Sequence, residues 1–99
     1  MEDRPMIGDC IEKLQTLGSS GQIADFLIRE QIRGTPGQSF NCAVAQYLKR
    51  ETGLEKPSVS TGWAHRHGHP GTIVPIEDYS PLQRFIQDFD LGLYPELVE

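Results

Sequence analysis

Ninety-nine residues and 11.1 kDa are one domain's worth of chain, read as residues 1–99. With 37% hydrophobic and 23% charged residues, the composition is too apolar for disorder, and no run reaches the roughly 18 apolar residues of a membrane helix. The net charge of −5 argues against a general affinity for phosphate backbones.

The first periodic segment spans residues 6–17, with Ile7, Ile11 and Leu14 at i, i+4 and i+7 and Gly18 placed to stop it. Ser19-Ser20 offers an N-cap for a second helix over 21–32, whose buried stripe is Ile23, Phe26 and Leu27. The turn cluster Arg33-Gly34-Thr35-Pro36-Gly37 ends it. A third helix is expected over 41–52, capped by Ser39 or Asn41 and stopped by Gly53, with Val44, Tyr47 and Leu48 facing inward.

Beyond Pro57 the period falls to two. Val59, Thr61 and Trp63 alternate with Ser58, Ser60 and Gly62, which predicts a half-buried strand. Thr72-Ile73-Val74 reads as its partner across a histidine- and glycine-rich loop at 65–71, and Pro75 confines that partner to an edge. Ser80 then caps a fourth helix with Pro81 at its first position, and Leu82, Phe85, Ile86 and Phe89 make its inner stripe. That helix ends near Asp90-Leu91-Gly92. The order α-α-α-β-β-α predicts an α+β fold, three N-terminal helices and one C-terminal helix against a two-stranded β-ribbon.

Two cysteines do not make a disulfide framework, and the opening MEDRPMIGDC lacks the regions of a signal peptide. Both features predict a cytoplasmic protein with reduced thiols. Cys42 falls at the start of the third helix, where free N–H groups lower a thiol's pKa, and histidines follow it as in papain-like hydrolases. Two strands are too few to carry such a site, and cysteine packs readily, so Cys42 reads as a core residue. Cys10, by contrast, is expected on an exposed or half-exposed face of the first helix.

The run His65-Arg66-His67-Gly68-His69 holds every histidine of the chain. His65 and His67 share a strand face and, with His69, are the candidates for a metal. The spacing of a structural zinc site is missing, so the expectation is loop histidines with no metal and no cofactor. Three helices before a ribbon also match a winged helix. However, the break from Gly34 to Phe40 is too long for its turn, and the third helix offers only Gln46, Lys49 and Arg50 as readers. Nucleic-acid binding is therefore the second reading.

The charge distribution supplies the first. Residues 1–70 hold eight acids and eight bases, whereas 71–99 hold Glu77, Asp78, Asp88, Asp90, Glu96 and Glu99 against Arg84 alone. An acidic C-terminal third favours a basic protein partner, with a plain solvated surface as the competing account. Asp88, Asp90 and Glu96 are its candidate contacts, and Tyr94 and Leu97 its candidate anchors.

Two stretches carry a resemblance. Cys42-Ala43-Val44-Ala45-Gln46-Tyr47-Leu48 resembles a C-[PA]-[VL]-A-x-Y-L motif. Phe85–Leu97 is similar to F-[IV]-x-x-F-D-x-G-x-Y-P-x-L, and upstream lie Ile23-Ala24 and Ile32-Arg33-Gly34 in the pattern I-A-x-x-L followed by I-x-G. Together, over about residues 20–98, they resemble a family of small actinobacterial and phage proteins, departing at Ala43, where proline is commoner. The resemblance implies a soluble, cytosolic protein and brings no activity, cofactor or catalytic residue with it. Apolar and turn-forming motif residues fit a fold signature better than an active site.

Overall fold

The computed structural model describes residues 5–66 and 73–99, and its helices begin where a side chain can satisfy the first free N–H groups. Helix α1 (Ile7–Gln15) carries Asp9 in its first turn, accepting from the Met6 N–H at 3.1 Å. Helix α2 (Ser20–Arg29) starts at Ser19, whose hydroxyl accepts from the Gln22 N–H at 3.2 Å. Helix α3 (Ala43–Thr52) is capped by Cys42 rather than by Ser39 or Asn41. The Cys42 N–H donates back to Gln38 O at 2.9 Å, so residues 38–41 form a turn before the helix can begin. Gly53 closes α3 as expected. Helix α4 (Pro81–Asp90) has Ser80 as its cap, accepting from the Gln83 N–H at 3.2 Å, and Pro81 at its first position.

Strands β1 (Pro57–Val59), β2 (Trp63–Arg66) and β3 (Val74–Pro75) form an antiparallel sheet in that order. The fold is a small α+β arrangement, with three strands among the described residues where two were expected. The segment read as one strand folds back on itself: Ser60 N–H donates to Trp63 O at 2.9 Å, and Val59 pairs with Ala64. Alternation therefore fails at the turn. Thr61 is exposed, Trp63 is 39% exposed, and Ser58, expected outside, is buried. Helix α3 packs on β1, and Ser39 O accepts from Val59 N–H at 2.9 Å along its outer edge. On the other side Trp63 pairs with Pro75 and Ala64 with Val74. Pro57 and Pro75 both lie in outer strands, where a missing N–H costs no ladder bond. Thr72, expected to begin the last strand, lies outside the described residues.

One core joins these elements. Leu14, Ile23, Leu27, Tyr47, Leu48, Ala64, Leu82, Phe85, Phe89 and Leu97 are essentially inaccessible to water. Helix α2 packs most extensively on α4, which places the N-terminus of one beside the side chains of the other. Cys10 is buried, not half-exposed, because it lies on the same face of α1 as Ile7, Ile11 and Leu14. In the Cys42–Leu48 motif every residue but Gln46 is buried. Gly34 explains why that motif sits so close to the preceding turn: a Cβ there would fall under 3.0 Å from the backbone of Asn41, Cys42 and Ala43. Gly34 also receives the chain end, donating to Leu97 O at 2.8 Å and accepting from Glu99 N–H at 3.0 Å. Among the described residues no helix is long and apolar enough to cross a membrane.

Candidate functional site

The C-terminal segment is shaped by how α4 stops. Leu93 N–H donates to Asp88 O and Gly92 N–H to Phe89 O, both at 3.0 Å, with Gly92 at φ 82°. This is the Schellman pairing, whose first donor must itself tolerate a positive φ. Such caps usually carry an apolar contact from the residue after the glycine back to the helix. Here the positions that would receive it are Asp88 and Gln87, and Leu93 remains 59% exposed. Leu91, which ends the helix, is 77% exposed. Neither leucine belongs to the core cluster.

The residues expected to make the surface divide into two sets. Asp88 is buried, and its carboxylate accepts from Ser20 Oγ at 3.0 Å and from Arg84 Nε at 3.1 and 3.2 Å. Ser20 Oγ lies 2.6 Å from the Tyr94 hydroxyl, and the Tyr94 ring stacks on Phe85 at 5.3 Å. Leu97 is fully buried in the 3-10 turn Pro95–Leu97. Asp88, Tyr94 and Leu97 thus fasten the chain end to α2 and the core, which corrects the expectation of a solvated Asp88 and of Leu97 as an anchor, while Tyr94 is half-buried. A buried carboxylate must be met by donors, and these are its donors.

Asp90 and Glu96 are exposed, as expected. Asp90 Oδ1 accepts from the Gly37 N–H at 2.9 Å and so ties the loop before α3 to the end of α4. What faces solvent is therefore Asp90, Leu91, Leu93 and Glu96. Two exposed leucines stand between two carboxylates, at a helix end whose own dipole is negative and whose last turn has no basic residue. The sequence reading placed the helix stop near Asp90-Leu91-Gly92 but did not follow its consequence to Leu91 and Leu93. Gly92 was the available signal, because a stop there turns residue 93 off the helix face.

The other candidates divide similarly. The Cys42 thiol accepts from the Ala45 N–H at 3.5 Å and is pushed up to about 11, first by burial and further by the Asp90 charge. The N–H groups at the start of α3 pull the other way and lose. Cys42 is thus a packed, protonated thiol and not an activated nucleophile. Cys10 is likewise raised to about 11 by burial. The His65 ring lies tilted by 53° against the Trp63 ring at 4.6 Å, with Nδ1 3.0 Å from Arg66 O. His67 and His69 lie outside the described residues, among which no three His, Cys, Asp or Glu side chains gather as metal ligands. On α3, Arg50 is engaged with Glu30 at 2.6 Å and with Glu51 at 3.0 Å, which spends one of the cations a groove-reading helix would need. Comparison with family models, with curated proteins and with solved structures returned no match.

Proposed function

We propose that this chain is a protein-interaction domain, accessory or regulatory and not catalytic, which docks a basic partner on the end of α4. The observation that carries the reading is the exposure of Leu91 and Leu93 between Asp90 and Glu96, where the side chain of neither leucine belongs to the core. Charge supports it, because residues 71–99 hold the chain's whole net charge and their one cation, Arg84, is paired with Asp88. Burying both leucines contributes roughly 2–4 kcal/mol, against about 8 kcal/mol for a micromolar complex. The partner must therefore add charge pairing and further contacts, which selects a basic, amphipathic segment over a purely apolar one.

A cytoplasmic setting fits the two unpaired cysteines. The likeness to small actinobacterial and phage proteins falls largely on buried residues, so we take it as kinship of fold and not of activity. The test is a titration of the full chain with a helical peptide bearing leucines on one face and lysines on the other. Binding that weakens with salt, and that fails for the same peptide with glutamates in place of lysines, supports the reading. Salt-dependent retention on duplex DNA, with no affinity for the lysine peptide, overturns it in favour of nucleic-acid binding.

A further inference from the structure

Beside the exposed leucines a cleft of about 240 Å³ opens between the turn before α3, the β1–β2 turn and the last turn of α4. Cys42 lies among its lining residues, and Val59 and Ile86 are its aliphatic members. Ser39 and Ser60 supply hydroxyls, and Asp90 supplies the one formal charge. Among the described residues no basic side chain lines it. One Asp90 oxygen is engaged by the Gly37 N–H, leaving the other for a further donor.

A cleft with aliphatic members, hydroxyl acceptors and one carboxylate suits a long side chain with an apolar stem and a cationic head. We infer that it receives a lysine or arginine side chain of the docked partner, the stem against Val59 and Ile86 and the head on Asp90. This deepens the docking reading and rests on it, since Asp90 belongs to both the cleft and the leucine patch.

The experiment is an amide NMR titration of the full chain with blocked lysine, blocked arginine and blocked norleucine, the last a neutral match for the lysine stem. Saturable shifts at the Gly37 and Ser60 amides are expected for a cationic probe and not for norleucine, and the tighter of the two cations identifies the side chain. Asp90→Asn keeps an acceptor for Gly37 but removes the charge, and it should weaken the titration by about tenfold or more. Equal shifts with norleucine, an unchanged titration in Asp90→Asn, or no shift with any probe overturns the inference. Titrating the unaltered chain with the blocked amino acids and with the amphipathic peptide side by side separates the two ideas. If the cationic probes titrate while the amphipathic peptide fails to bind, the docking reading falls and the cleft stands. The reverse pattern removes the cleft alone.

Discussion

In Cys42–Leu48 six of seven side chains are buried, whereas in Asp88–Leu97 buried and exposed residues are interleaved. The difference follows from what each stretch must do. The first is the opening of α3, pressed between Gly34, β1 and the core, with Gln46 its one side chain that is not buried. The second must end a helix and return the chain to the α2–α4 pair. Asp88, Tyr94 and Leu97 perform that return, and Asp90, Leu91, Leu93 and Glu96 are left outside. A motif can thus be wholly architectural, or architectural on one side and available on the other.

The sharpest way to break this comparison is to cut into the architecture. Phe89→Ala removes a fully buried ring and should cost about 3–5 kcal/mol by chemical denaturation, a large share of the stability of a domain this small. Gly34→Ala should cost about 3 kcal/mol, because the added methyl meets backbone that cannot step aside. A Gly34→Ala chain as stable as the original would mean that α3 can move away from the turn.

Asp88 and Asp90 sharpen the comparison directly, being two residues apart on the same helix. Asp88→Ala removes the buried acceptor of the Ser20 hydroxyl, which keeps only Tyr94, and breaks the bond to the solvent-exposed Arg84; it should cost about 1–3 kcal/mol. Asp90→Asn, Glu96→Gln and Glu99→Gln should each stay within about 0.5 kcal/mol. Equal costs at Asp88 and Asp90 would erase the distinction between the inner and outer sets.

The buried thiols add a test by pH. Burial raises Cys10 and Cys42 from an ordinary 9.0 to about 11, and Tyr47 from 10.0 to about 12. The unfolded chain therefore loses these protons first as pH rises. Their contribution to stability is complete below about pH 9 and is lost as pH climbs through about 11–12. Denaturation midpoints should fall across that window, and both cysteines should label slowly in the native protein. Rapid labelling of either would contradict its place in the core. Cys42→Ser should cost less than about 1 kcal/mol, since the serine hydroxyl can take over the Ala45 N–H.

The helices were legible because their signals are local. Ser19, Ser80 with Pro81, Gly53 and the stripe Leu82–Phe89 each act within a turn or two of where they stand. The sheet was less so. A period of two over Ser58–Trp63 describes one strand or two halves of a hairpin equally well, and the Ser60–Trp63 bond decides between them. The inward turn of Tyr94 and Leu97 was not legible at all. It depends on Ser20 and Gly34, which lie 74 and 63 residues earlier in the chain and have no local mark of that role. Acidic composition drew attention to the C-terminal segment, but the helix stop at Gly92 and the burial of its residues show which of its side chains face water.

The most direct measurement pairs stability and binding in one variant, Leu91→Ser with Leu93→Ser. Its denaturation curve should match that of the unaltered chain to within about 0.5 kcal/mol per site, while its affinity for the lysine–leucine peptide collapses. A large loss of stability would place the leucines in the architecture, and undiminished peptide affinity would remove them from the docking surface; either result contradicts the account.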